Sequence, residues 1–233
     1  MNSDIVITSD STTDLSPELK ERYGIEICPL GVTLGGKTYI DGVDITPDDI
    51  YAHHDKTGEL PKTSATNVGE CLDFFKKFTE SGKTVIHFTI SSDMSSTYAN
   101  ACLAAGELEN VYVINTENLS TGGGLLTVAA AQMRDDGLAA EEIVEKTKAL
   151  VPCVDASFVI DSLEYLYKGG RCSALAMFGA NLLRLKPCIQ VKNGKMDVAK
   201  KYRGKYDEVL KQYIREKVTD YSDIDLERVF ITH

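Results

Sequence analysis

Short apolar runs alternate with amphipathic stretches along most of the chain. Ile5-Val6-Ile7-Thr8 predicts a strand that empties into the polar cluster Ser9-Asp10-Ser11-Thr12-Thr13. Ser16-Pro17-Glu18 predicts a helix start, and Thr46-Pro47-Asp48-Asp49 another, each with a hydroxyl N-cap and Pro at N1. Between them, Ile25 to Leu34 and Lys37 to Ile40 flank Gly35-Gly36, which predicts a hairpin inserted near 25–45. A polar loop, Pro61 to Asn67, precedes a helix with Val68, Cys71, Leu72, Phe75 and Phe78 on one stripe. Strands over Thr84 to Ile90 and Val111 to Asn115 then alternate with helices from about Ser95 and over Gly122 to Arg134. This alternation predicts a helix-covered, mostly parallel sheet.

The rhythm changes after about residue 150. A strand over Ser157 to Ile160 and a short helix over Leu163 to Tyr167 lead to Gly169-Gly170. Asn193-Gly194 joins Cys188–Val191 to Met196–Ala199 as a hairpin, and a helix follows over Tyr206 to Lys217. The expected organisation is therefore an α/β domain over residues 1–152 and a second α/β domain with a mixed sheet over 153–233. Arg228 to Ile231 reads as the start of a further strand, so the second domain is expected to be C-terminally incomplete.

Composition narrows the function classes. The 233 residues are 43% hydrophobic and 26% charged, which fits a globular protein and excludes collagen or disorder. A net charge of −10 opposes a nucleic-acid polyanion. No apolar run approaches the ~20 residues of a membrane span, and no leader pattern opens the chain. The expectation is a cytoplasmic protein with at most transient contact with a membrane surface. The six cysteines lack Cys-x-x-Cys spacing and the histidines do not complement them, so buried thiols are expected rather than disulfides or zinc.

Three hydroxyl-rich segments, Ser9–Thr13, Thr63–Asn67 and Ser91–Thr97, follow strands or precede helices, where loops of an open α/β sheet line a ligand crevice. Helix N-termini there favour anions. Ser120-Thr121-Gly122-Gly123-Gly124 matches no nucleotide fingerprint, and close backbone packing explains its glycines. No G-x-S-x-G elbow is present. A small α/β serine-dependent hydrolase or transferase would need Ser95 or Ser11 with His87, but His87 falls inside an apolar strand. The hydroxyls read as binding groups, and a pure regulatory module without ligand is a third reading.

Five segments in order resemble the DegV family of bacterial fatty-acid-binding proteins. They are Ile5 to Thr12; Pro61-Lys62-Thr63-Ser64; Ile90-Ser91-Ser92-Asp93-Met94-Ser95-Ser96-Thr97-Tyr98; Leu166-Tyr167-Lys168-Gly169-Gly170-Arg171; and Lys201-Tyr202-Arg203-Gly204. The resemblance implies a two-domain α/β protein holding a long-chain fatty acid, such as palmitate or oleate, in an apolar tunnel. It implies carboxylate contacts from Thr63 and Ser95, with Ser64 and Ser96 beside them. It places Arg171, Arg203 and Ser11 near the tunnel mouth or a partner, within reach of the basic cluster Lys200 to Lys205. It implies no catalysis, no metal and no cofactor, and presentation of the carboxyl group to a separate fatty-acid kinase that makes the acyl phosphate. Tunnel walls would come from Val68–Phe78, Leu125–Met133 and Ala176, Met177, Phe178, Leu182 and Leu183. Ser96 stands where the family has Gly, Ala65-Thr66-Asn67 departs from the family pattern, and the late His-Thr-Gly-Pro-Gly motif is absent.

Overall fold

The computed structural model describes residues 4–173, 186–219, 224–226 and 228–232. The chain divides into two compact units, one running through Val154 and the other starting at Asp155.

The first unit contains, in chain order, β1 (Ile5–Asp10), a 3-10 turn (Ser11–Thr13), α1 (Pro17–Tyr23), β2 (Glu26–Cys28), β3 (Gly31–Leu34), β4 (Lys37–Ile40), α2 (Pro47–Thr57), β5 (Lys62–Ser64), α3 (Val68–Thr79), β6 (Thr84–Thr89), α4 (Thr97–Ala105), β7 (Val111–Asn115), α5 (Ser120–Asp135) and α6 (Ala140–Leu150). Its main sheet is parallel with strand order β2-β1-β6-β7. Parallel strands covered by helices on both faces are buried on both faces. All six residues of β1 are accordingly buried, and Val85, Ile86 and Phe88 of β6 are wholly enclosed. On one face α3 contributes Cys71, Phe74 and Phe75, which pack with Val85 and with Ala101 and Ala104 of α4.

Local chemistry sets the helix ends. Thr46 and Asp49 form a capping box on α2, and Asn67 with Glu70 forms one on α3. The expected hairpin run Ile25 to Leu34 is divided between two sheets. Pro29, which has no N–H for a ladder, separates β2 in the main sheet from β3 in a small antiparallel sheet of order β4-β3-β5. The polar segment read as a loop supplies β5, paired Val32 with Thr63 and Gly31 with Ser64. A side chain on Gly31 would meet Ser64 Oγ, so in this register glycine leaves room for the Ser64 hydroxyl in its present rotamer.

The second unit contains β8 (Ser157–Val159), α7 (Glu164–Gly169), β9 (Lys186–Lys192), β10 (Lys195–Tyr202) and α8 (Tyr206–Thr219). Asn193 and Gly194 both take positive φ in the hairpin turn, as a two-residue turn demands. The expected mixed sheet is corrected here: among the described residues β10-β9-β8 is antiparallel throughout. A two-residue turn can only return the chain antiparallel, and β8 also meets β9 antiparallel. The strand expected from Arg228 is likewise corrected. Residues 228–232 form no strand, and Val229 and Ile231 point largely to solvent. A core of Val159, Cys188, Tyr202 and Val209 holds α8 to the sheet. All six cysteines are free; four are buried, whereas Cys153 is exposed and Cys102 half-buried.

Candidate functional site

In the order β2-β1-β6-β7 the chain adds strands outward in opposite directions from the β1/β6 boundary, the topological switch point where open α/β sheets place their ligand crevice. The first and third hydroxyl segments leave the sheet from the carboxyl ends of these two strands. Asp10 ties them together. Its Oδ1 accepts from Thr12 N at 3.1 Å and Thr12 Oγ1 at 2.6 Å, while Oδ2 accepts from Ile90 N at 2.7 Å. Burial raises the Asp10 pKa, opposed by these hydrogen bonds to its ionised form. The turn bonds that Asp10 accepts from Thr12 are local, whereas the bond to Ile90, eighty residues away, has no local signal in the sequence.

Most hydroxyls at this end of the sheet are committed to structure. Ser9 Oγ and Thr13 Oγ1 are hydrogen-bonded at 3.0 Å, and Ser11 Oγ accepts Leu30 N at 3.2 Å. Ser11 therefore anchors the segment after β2. Thr116 Oγ1 donates to Thr89 O at 2.8 Å, and Ser91 N donates to Asn118 O. Asn118 and Thr116 bring the loop after β7 into the same framework, a role that no sequence motif marks.

Ser95 and Ser96 lead into α4. Ser95 Oγ accepts Thr97 N at 3.2 Å and lies 2.9 Å from Thr97 Oγ1. Ser96 occupies the N-cap position, is exposed, and makes no side-chain cap bond. Thr63 and Ser64 are exposed on β5, and their hydroxyls have no hydrogen-bond partner among the described residues. The following loop is tethered to α4, since Asn100 Nδ2 donates to Thr66 O at 2.9 Å and Thr66 Oγ1 donates to Pro29 O. The second and third hydroxyl segments are thus both anchored on α4, with Asn100 N also donating to Ser96 O.

His87 is a core residue. It is fully buried, its Nδ1 is hydrogen-bonded to Thr8 Oγ1 at 2.8 Å, and its ring meets Phe75 edge-on at 5.1 Å. Desolvation holds its pKa down to about 3. A serine-dependent reaction loses the base it needed. The glycines of α5 serve packing: a Cβ on Gly124 would lie 2.8 Å from Thr13 O. Ser120 Oγ donates to Asp14 Oδ2 at 2.6 Å, joining two residues that both have positive φ.

In the second unit, Arg171 Nη1 donates to Gly169 O at 2.7 Å and so braces the turn after α7. Arg203 is exposed just beyond β10. Of the expected tunnel walls, Phe74 and Phe75 of α3 and Leu126, Val128 and Ala129 to Ala131 of α5 are buried in the first unit. Ala176, Met177, Phe178, Leu182 and Leu183 lie outside the described residues. No helix of the described residues is long and apolar enough to cross a membrane.

A parallel sheet whose switch point is bordered by hydroxyl-rich loops defines an open α/β fold with a crevice at that end of the sheet. Known proteins share this architecture. A fatty-acid-binding DegV family protein of Thermus thermophilus is 30% identical and superposes with a TM-score of 0.81, over 91% of this chain and 77% of that one. A stearic-acid-binding protein of Eubacterium ventriosum is 33% identical with a TM-score of 0.80, over 93% and 78%. The DegV domain-containing protein of Clostridium acetobutylicum is 36% identical over 202 residues, which are 86% of this chain and 72% of that protein. The model of the DegV family, described as one of uncharacterised proteins, matches residues 4–233. The chain belongs to the DegV family.

Proposed function

We propose that this protein binds a long-chain fatty acid, with the carboxylate held by Thr63 and Ser95 and flanked by Ser64 and Ser96. The observation that carries this reading is the division of hydroxyls. Ser9, Ser11, Thr13 and Thr116 are bonded within the framework, whereas Thr63, Ser64 and Ser96 have no such commitment. Ser95 supports it by its geometry. When Thr97 Oγ1 donates to Ser95 Oγ, that oxygen accepts twice and its own proton is left to give to an anion. Hydrogen-bond donors without a fixed cation suit a carboxylate whose tail enters apolar surroundings. Each methylene buried contributes about 0.8 kcal/mol, so the tail supplies affinity and the head group supplies register. The fatty-acid-binding relatives at 30% and 33% identity support the same ligand class.

The finer reading is a cytoplasmic bacterial carrier that presents the carboxyl group to a separate fatty-acid kinase. It needs no cofactor, touches the membrane surface only transiently, and uses Arg171, Arg203 and Ser11 near the tunnel mouth or partner. Native mass spectrometry of the purified protein should show one added fatty-acid mass. A protein that is empty and also ignores added palmitate or oleate would overturn the proposal. Thr63→Ala with Ser95→Ala should lose the lipid at unchanged thermal stability; full retention would misplace the carboxylate.

A further inference from the structure

Among the described residues β7 pairs only with β6 and forms one edge of the main sheet. In a parallel ladder a residue's N–H and C=O face the same neighbour, and successive residues alternate. Asn110 O accepts Val85 N, and Thr116 N donates to Thr89 O, so the even-numbered residues of β7 face β6. The N–H and C=O groups of Val111 and Val113 therefore point away from the sheet, and they have no partner among the described residues. These residues are half-buried within a groove of about 360 Å³. Cys102 and Ala105 of α4 with the following Gly106 line one side, and Val144 and Lys148 of α6 the other. A groove one strand wide with unpaired backbone groups at its floor fits an extended strand.

The charge pattern of α6 selects the occupant. Glu141, Val144 and Lys148 recur at i, i+3 and i+7 along one stripe, with Glu141 accepting Tyr112 Oη at 2.7 Å beside β7. The stripe reads acidic, apolar, basic. Against a second copy of itself running antiparallel, each exposed Glu141 meets an exposed Lys148, while Val144 stays buried in its own unit. A two-fold axis perpendicular to the sheet through Val113 produces that arrangement. It pairs β7 with β7 of the second copy antiparallel, sets Val113 opposite Val113 and Val111 opposite Asn115, and brings α6 beside α6 on the same face. We propose that this protein forms a symmetric dimer through β7 and α6, extending the parallel sheet by antiparallel pairing across the two-fold.

Three variants test the interface by sedimentation velocity of the whole chain at concentrations up to about 100 µM. The wild type should sediment as a dimer. Lys148→Glu places like charges at two symmetry-related contacts and should weaken association about tenfold. Adding Glu141→Lys restores opposite charges in swapped positions and should recover the dimer. Val113→Pro removes an N–H that serves no bond within the sheet, so it should give a monomer that retains its fold. A monomeric wild type, indifference to Lys148→Glu, or no recovery in the charge-swapped double variant would each overturn the proposal. The charge-swap pair keeps the test decisive should Val113→Pro fail to fold.

Discussion

Acidification should destabilise this protein through one imidazole. His87 is wholly buried and its pKa is held down to about 3, against an ordinary 6.5. Between those values the unfolded chain carries the proton and the folded chain refuses it. Stability therefore rises with pH across this window and is lost as pH falls below 6.5. Each pH unit is worth about 1.4 kcal/mol, so roughly 2 kcal/mol is lost by pH 5 and roughly 5 kcal/mol by pH 3. Other groups titrate in the same range, so the measurement is a comparison with Thr8→Val/His87→Phe. That pair replaces both partners of the 2.8 Å bond with apolar groups of similar size, next to Phe74 and Phe75. Removing both ends of a buried hydrogen bond together strands neither group. Urea midpoints taken from pH 7.5 to 5 should fall by about 2 kcal/mol more in the wild type than in the double variant. Parallel curves, or an NMR titration of His87 near 6.5, would refute the reasoning.

Adjacent glycines of α5 should behave oppositely. Gly124→Ala drives a methyl group to 2.8 Å from the backbone oxygen of Thr13 and should cost about 1–3 kcal/mol in thermal or urea unfolding. At Gly123 the same methyl group meets nothing closer than 3.5 Å, so the gain in helix propensity should leave Gly123→Ala neutral or up to about 1 kcal/mol more stable. Asp10 should show the reverse pH sign to His87. Burial raises its folded pKa, so its contribution is fully present below the unfolded value of 3.8 and is lost as pH rises through the folded one. Urea midpoints of the wild type relative to Asp10→Asn should therefore improve on acidification.

What was legible in the sequence was local. Ile5-Val6-Ile7 and Thr84 to Ile90 declare buried strands by their unbroken apolar runs, and Thr46 and Asn193-Gly194 carry a cap and a turn in their own chemistry. What was not legible depends on partners distant in the chain. Lys62-Thr63-Ser64 is too polar and short to announce a strand, and it becomes one because β3 lies ready to pair with it. Ile25 to Leu34 reads as one strand until Pro29 assigns its halves to different sheets. Among the hydroxyls, Ser9, Ser11 and Thr13 look the same in sequence as Ser95 and Ser96. Only the positions of Thr13 and Leu30 show that Ser9, Ser11 and Thr13 are already occupied, whereas Ser95 keeps its own proton when Thr97 donates to it.

The small sheet gives the proposed carboxylate site two separate mechanical supports. Ser95 is carried by the loop that Asp10 binds to the main sheet, whereas Thr63 sits on a three-stranded sheet whose buried cluster is only Val32, Leu34 and Ile45. Local opening free energies follow the amount of apolar packing that must be broken. The strand bearing Thr63 should thus loosen far more often than the loop bearing Ser95. A bound carboxylate would then be released hydroxyl by hydroxyl, Thr63 first, and its residence time would be governed by the weaker of the two sheets.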